Sequence, residues 1–156
     1  MVARNDKRLV DLEGAAILHS LYLAPRPPVS FAPVIASHAS ASMDISDGFL
    51  GDLEKMARAS NVDFEVLALK VPLSAQVRGA VDQFPELIGT VLTGGDDYQC
   101  LFTVPQAQME DFQAAVASQE VQVTEIGIAK PGGGKVSVAG LSGKEFGPGK
   151  NSYSHF

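Results

Sequence analysis

The sequence has few of the residues that mark disulfides, transition-metal sites or nucleophilic catalysis. Its single cysteine, Cys100, excludes an internal disulfide and favours a reducing compartment. Because Cys100 lies in the apolar run YQCLFTV, a buried small hydrophobe is favoured over a reactive nucleophile. His19, His38 and His155 show no metal-ligand spacing. Any metal site would therefore depend on oxygen ligands.

Positive charge and long apolar runs are also scarce. The 12 Lys and Arg residues are outnumbered by 18 Asp and Glu residues, and no segment gathers the basic residues into a stripe. A chain with a formal net charge of −6 cannot readily replace phosphate counterions, so we expect no nucleic-acid partner. No stretch approaches the roughly 20 apolar residues that span a bilayer, and the charged opening precedes no signal-like core. We expect a cytoplasmic protein without a membrane partner.

The length of 156 residues favours one domain with a single sizeable core. A content of 46% hydrophobic residues, with 15 glycines and 9 prolines, is that of an ordinary globular protein. Apolar residues recur at helical spacing over residues 5–23, and the segment APRPP ends this pattern. We therefore divide the chain into an N-terminal helix and entry segment, residues 1–24, and a single domain, residues 25–156.

Strand and helix patterns alternate through that domain. A strand pattern over residues 40–45 runs into SDG, and a helical pattern begins at Phe49. FEVLALKVPL and YQCLFTVP are typical of strands, whereas SAQVRGAVDQF and residues 106–118 are typical of helices. VQVTEIGIAKPGGGKVSVAG predicts strands joined by a glycine turn, with PGGGKV a hairpin turn rather than a phosphate loop, since GxxxxGK[ST] is absent. The alternation predicts an α/β or α+β layered domain.

The motif MDISDG places two aspartates three residues apart where a strand meets a helix. We expect Asp44 and Asp47 to point outward near the helix N-terminus, with Ser46 between them. Alternatively, Ser46 or Asp47 serves only as a helix cap, a role worth about 1 kcal/mol that needs no ligand. Asp44 closes an apolar strand, where an acidic residue usually needs a partner for its charge.

A second acidic motif, TGGDDYQ, repeats this arrangement just before a strand. Gly94 and Gly95 allow the backbone to approach something closely, and Asp96 and Asp97 supply carboxylates, although a tight turn alone would explain the glycines. Two such clusters on a small domain repel each other unless cations or donors offset the repulsion. Oxygen ligands of this kind suit Mg²⁺ or Ca²⁺, and Mg²⁺ commonly bridges carboxylates to substrate phosphates. The pattern indicates a magnesium and phosphate site.

Two longer segments, ASMDISDGFLGDLEKMA and LTGGDDYQCLFTVP, with YLAPRPPV upstream and SYSHF at the end, resemble the C-terminal half of thiamine-monophosphate kinase. That family belongs to the superfamily of aminoimidazole ribonucleotide synthetase and selenophosphate synthetase. The resemblance covers most of the chain and implies a mixed sheet with helices packed on it. The family's GGEDYE reads GGDDYQ here, so Asp96 stands where a longer glutamate is usual.

The resemblance implies transfer of the γ-phosphoryl group of ATP to thiamine phosphate, which gives thiamine diphosphate, with Mg²⁺ as the metal. Asp44 and Asp47 would be the catalytic metal ligands, and Ser46 would contact the nucleotide phosphates. Asp96 would contact thiamine phosphate, and Tyr153 would pack against it unless it only pins a surface tail. A phosphate monoester is already largely ionised at neutral pH, so repulsion between anions, rather than proton removal, is the obstacle that metal ions relieve.

The resemblance also implies a part that this sequence does not match. Members of the family carry an N-terminal domain with a GDDAA-type motif, which forms the dimer and much of the ATP site. We therefore expect Met1 to open a fragment or a shortened chain that is inactive or nearly so alone, and the full-length protein to be a homodimer. Two alternatives stay open: a sister enzyme that acts on another phosphate or amide substrate, and a non-catalytic binding module.

Overall fold

The computed structural model describes residues 14–140, which form six helices and five strands. The helices are α1 (Ala15–Leu23), α2 (Ala32–His38), α3 (Phe49–Ser60), α4 (Ala75–Gln83), α5 (Leu87–Thr93) and α6 (Met109–Ala117). The strands are β1 (Ala41–Asp44), β2 (Val62–Leu67), β3 (Cys100–Thr103), β4 (Gly127–Pro131) and β5 (Val136–Ala139), and short 3-10 turns lie at Val29–Phe31, Ala68–Lys70 and Gln106–Gln108. Helices pack on a mixed sheet, which confirms the predicted fold class. Over the same residues, no helix is both long and apolar enough to cross a bilayer.

The strands form two small sheets. β1 and β3 pair antiparallel, with Asp44 opposite Cys100. In the other sheet β2 is the middle strand, antiparallel to β4 and parallel to β5. The predicted hairpin at PGGGKV is therefore wrong, because β4 and β5 flank β2 instead of pairing with each other. Asp63 in β2 stabilises the connection from β4 to β5, since its Oδ1 accepts hydrogen bonds from the amides of Gly133 and Lys135 at 2.9 and 2.8 Å.

Helix α3 is the centre of the main core because its apolar residues recur at three- and four-residue spacings. Phe49, Leu50, Leu53 and Met56 are each at most 5% exposed and pack with residues of both sheets and of α5. Burying a side chain of this size contributes about 1.5–3 kcal/mol. Asn61, which follows the last helical residue, caps the helix in a left-handed conformation with φ 52°. This packing fixes the start of α3 against the end of β1.

A second, aromatic core lies between α2, β3 and α6. The rings of Phe31, Phe102 and Phe112 have centroids 5.7–6.4 Å apart in tilted and edge-on arrangements, which suit the ring quadrupoles. Cys100 packs partly buried against this cluster, and burial raises the pKa of its thiol. Both observations agree with the expectation that Cys100 is a packing residue.

Two helices were not predicted. Helix α2 begins after the proline-rich run, and Pro33 in its first turn lacks only an amide that would have no partner within the helix. Helix α5 contains the β-branched sequence LIGTVLT and is stabilised by burial of Leu87 and Leu92. The predicted helix over residues 5–23 is seen from Ala15, and its earlier part lies outside the described residues. Within the described part, residues 121–126 form no strand, contrary to expectation.

Candidate functional site

The two acidic motifs lie side by side. The amide of Ile45 donates to the carbonyl of Gln99, and the amide of Tyr98 donates back to the carbonyl of Ile45, both at 2.9 Å. The amide of Asp96 donates to the carbonyl of Ser46, also at 2.9 Å. These hydrogen bonds continue the β1–β3 pairing beyond the strands. The loop after β1 and the loop before β3 therefore form one structural unit, which a single site built from MDISDG and TGGDDYQ requires.

Glycine is needed where the two loops touch. Gly48 has φ 114°, and a Cβ atom there would lie 2.5 Å from the carbonyl oxygen of Thr93. A Cβ atom on Gly95 would overlap the carbonyl oxygen of Ser46. Real Cβ atoms do not approach backbone oxygens this closely, and a φ near 114° strains any other residue. The glycines of both motifs thus serve the contact between the loops.

Asp52 holds the first loop in place, and sequence analysis missed it. Helix α3 begins at Phe49 with Gly48 as its N-cap, so neither Ser46 nor Asp47 occupies the capping position. Instead, Oδ2 of Asp52 accepts hydrogen bonds from the amides of Ser46 and Asp47 at 2.9 and 3.0 Å. Asp52 is 1% exposed. An acidic residue on the apolar face of a helix is the sequence signal that would have identified it.

Lys55 links Asp52 to the predicted metal ligand Asp47. Its Nζ lies 2.6 Å from Oδ2 of Asp47 and 2.8 Å from Oδ1 of Asp52. The hydrogen bond to Asp47, followed in size by the one to Asp52, raises the pKa of Lys55, so the ammonium group stays charged at neutral pH. The carboxylate of Asp47 therefore has a cation of the protein itself as a partner.

The second loop adopts a strained conformation. Asp96 and Tyr98 have positive φ angles of 70° and 52°, which few non-glycine residues adopt. Residues held in this way cost about 1–3 kcal/mol each and are concentrated at functional sites. The hydroxyl of Tyr98 donates a long hydrogen bond of 3.4 Å to Oδ1 of Asp96. Asp96 is also the main cause of the raised pKa of Tyr98.

The remaining acidic residues differ in their surroundings. Asp44 is exposed at the end of β1, and its charge contributes to the raised pKa values of Tyr98 and Cys100. Asp97 keeps an exposed surface, but partial desolvation raises its pKa to about 6, and the neighbouring Asp96 adds to the rise. Asp44 and Asp96 therefore both act on Tyr98, which is 40% exposed and was not predicted as a site residue.

The exposed carboxylates of this site suit a metal ion that is shared with a bound ligand, rather than one enclosed by protein side chains. Within residues 14–140, no three acidic, histidine or cysteine side chains are grouped closely enough to hold an ion by themselves. Asp44 and Asp47 offer hard oxygen donors, and Mg²⁺ commonly binds through one or two carboxylates while waters and phosphates complete its shell. The carboxylates therefore fit a Mg²⁺ ion that arrives with a phosphate ligand. Tyr153, the predicted aromatic contact, lies outside the described residues.

Comparison with known proteins agrees with this arrangement. Residues 18–139 match the family described as AIR synthase related protein, C-terminal domain. Since the match covers most of the chain, the protein belongs to this family. Its curated relatives include the thiamine-monophosphate kinases of Caulobacter vibrioides, 34% identical over 76% of this chain, and of Aquifex aeolicus, 35% identical over 72%. The chain spans about a third of the length of these relatives, 34% and 35% respectively.

Solved structures agree with the sequence comparison. The structure described as "AaThiL complexed with AMPPCP and TMP" matches with a TM-score of 0.72 and 31% identity, over 98% of this chain and 43% of that one. The thiamine-monophosphate kinase of Stenotrophomonas maltophilia K279a matches with a TM-score of 0.70 and 32% identity, over 86% and 43%. E. coli HypE, at a TM-score of 0.56 and 21% identity over 73% and 37%, shares the fold alone.

Proposed function

We propose that this chain is the C-terminal part of a thiamine-monophosphate kinase, a phosphotransferase that converts ATP and thiamine phosphate to thiamine diphosphate in the cytoplasm. The observation that carries the proposal is the union of MDISDG and TGGDDYQ through three backbone hydrogen bonds into one acidic site. The names of the relatives support the same activity. The related structure with AMPPCP and TMP supports ATP as the donor and thiamine phosphate as the acceptor.

The residues of the first loop would hold the metal and the nucleotide. Asp44 and Asp47 would bind Mg²⁺, which when bound supplies charge neutralisation between the two phosphate groups. Ser46 would contact the nucleotide phosphates with its hydroxyl, which makes no hydrogen bond within the described part of the chain. Because Asp52 already fixes the amides of Ser46 and Asp47, this loop needs little reorganisation when the ligand binds.

The second loop would hold the acceptor. Asp96 would contact thiamine phosphate, and its fixed left-handed backbone would set the direction of that contact. The cationic ring of thiamine suits an aromatic partner, an attraction worth roughly 0.5–2 kcal/mol. We propose Tyr153 for this role on the resemblance alone. The full-length protein would add an N-terminal domain that completes the ATP site and forms a homodimer, consistent with relatives about three times as long as the matched segment.

The proposal is tested by turnover of ATP and thiamine phosphate. We expect full-length protein containing these 156 residues to form thiamine diphosphate, and the 156-residue chain alone to form little or none. Absence of product from the full-length protein would refute the proposed activity, and robust turnover by the chain alone would refute the need for another domain.

Substitution of Asp44 tests the metal site separately. We expect Asp44→Asn in the full-length protein to lower kcat on the order of 100-fold, because a ligand for the charge-neutralising metal is lost. The free energy of unfolding should change by less than about 0.5 kcal/mol, since Asp44 is exposed. Asp111→Asn on α6 removes another exposed carboxylate and should leave kcat unchanged. An unchanged kcat in Asp44→Asn would remove Asp44 from the metal site.

Ligand-dependent melting separates the two alternatives. A sister enzyme of the superfamily would be stabilised by Mg²⁺ with a nucleotide but not by thiamine phosphate. A non-catalytic module would show no Mg²⁺-dependent stabilisation with any nucleotide or phosphate ligand. The kinase is expected to respond to both ligands.

A further inference from the structure

We propose that Lys55 is a counter-cation of Asp47 within the protein and that a divalent cation must displace it to bind this carboxylate. The inference rests on the proposed function, because it takes Asp47 to be a metal ligand. It assigns Lys55 and Asp52 a positioning role that the sequence motifs do not indicate.

The geometry gives the two carboxylates different roles toward Lys55. The ammonium group lies 2.8 Å from Oδ1 of Asp52 and 2.6 Å from Oδ2 of Asp47. Asp52 is 1% exposed and is fixed by the loop amides that its other oxygen accepts. The side chains of Asp47 and Lys55 are 37% and 48% exposed, so solvent and ions reach their contact. Asp52 is therefore the permanent partner of Lys55, and Asp47 is the exchangeable one.

An ammonium group and a metal ion compete for the same carboxylate. A Mg²⁺ ion binds a carboxylate oxygen at about 2.1 Å, whereas Lys55 already donates to Oδ2 of Asp47 from 2.6 Å. Two cations on one carboxylate would be only a few ångströms apart, where the surrounding protein screens their repulsion less than bulk water does. Metal binding at Asp47 is therefore coupled to release of Lys55 from it.

The contacts of Lys55 also stabilise the first loop. Asp47 and Asp52 are two carboxylates on adjoining turns, and Lys55 offsets their repulsion by bonding to both. The cost is a weaker affinity of Asp47 for metal alone. A metal that arrives with a nucleotide gains further oxygen ligands from the phosphates and overcomes the competition. Lys55 thus favours binding of the metal–nucleotide complex over binding of the bare ion.

The test is a titration of the 156-residue chain with Mn²⁺, used as a spectroscopic probe for Mg²⁺, in which free Mn²⁺ is measured by electron paramagnetic resonance. We expect Lys55→Met to bind Mn²⁺ about three- to five-fold more tightly than the wild type, since an exposed ion pair changes an affinity by up to about five-fold. Lys55→Arg, which retains the charge, should bind within about two-fold of the wild type. Asp47→Asn should weaken binding in either background.

Arg58→Met is the matched control. Arg58 lies on the same face of α3 one turn later and pairs with Glu54 at 3.1 Å. Its replacement changes the net charge by the same amount, so a general electrostatic effect would tighten binding in both variants. Equal tightening in Arg58→Met and Lys55→Met would overturn the inference while leaving the metal site intact.

If Asp47→Asn does not change Mn²⁺ binding, the metal role of Asp47 fails and the inference fails with it. Should Lys55→Met not fold, Lys55→Gln removes the same charge and carries the same expectation.

Discussion

Replacing Asp52 with alanine is expected to lower the free energy of unfolding by about 3 kcal/mol, measured by denaturant unfolding of the chain in the absence of metal. Asp52 is almost completely buried, and its carboxylate accepts the amides of Ser46 and Asp47. Hydrogen bonds to a charged group contribute about 1.5–3 kcal/mol each, and their loss leaves two half-buried amides to be satisfied by water. Lys55 adds little to this cost because its exposed ammonium group can be solvated.

Glu65→Ala provides the comparison. Glu65 also pairs with a lysine, Lys130, at 2.6 Å, but the side chains are 51% and 47% exposed. Exposed ion pairs contribute only about 0–1 kcal/mol, so this variant should unfold within about 1 kcal/mol of the wild type. A similar small effect for Asp52→Ala would show that the loop does not depend on the buried carboxylate. Asp52→Asn should fall between the two, since the amide keeps one acceptor oxygen.

The fold could be predicted as far as local pattern determines it. The strand over residues 40–45, the helix that begins near Phe49 and the helix over residues 106–118 all have regular apolar spacing, and each is present. Helix α5 has no such pattern and forms because Leu92 is buried in the main core by distant parts of the chain, while Leu87 packs on the neighbouring α4. The parallel pairing of β2 with β5 likewise depends on a long-range contact. Asp63 accepts hydrogen bonds from the glycine turn, for which the sequence alone predicts a hairpin.

The sequence predicted which residue types form the site, but not which of them contact each other. Asp47 and Asp96 stand out because they lie beside glycines, and Asp44 stands out because an acidic residue that closes an apolar strand gains little from packing. The amide of Asp96 contacts the carbonyl of Ser46 fifty residues away in sequence, and only the pairing of β1 with β3 brings them together. Asp52 and Lys55 were overlooked because, within a helical pattern, an acid and a base three residues apart suggest an ordinary surface ion pair. The position of Asp52 on the apolar face of the helix was the one signal against that interpretation.

Replacing Gly48 with alanine is expected to be at least as disruptive as the loss of Asp52, with a decrease of about 3 kcal/mol or more in the free energy of unfolding. Two effects add. A φ of 114° is unfavourable for any residue with a Cβ atom, and the added methyl group would meet the carbonyl of Thr93 at 2.5 Å. Because the obstacle is backbone rather than a flexible side chain, the two acidic loops would have to separate. We therefore expect weaker metal binding as well as lower stability.

Gly79→Ala is the matched control, because it makes the same chemical change with the opposite expected sign. Gly79 lies inside α4, and a Cβ atom there would meet no described atom within 4 Å. Alanine in an exposed helix interior is favoured over glycine by roughly 0.5–1 kcal/mol, so this variant should be more stable than the wild type. If Gly48→Ala also stabilises the chain, the two loops do not meet as closely as their hydrogen bonds indicate. A loss confined to Gly48→Ala, accompanied by weaker Mn²⁺ binding, would tie the stability of the loop contact directly to the integrity of the acidic site.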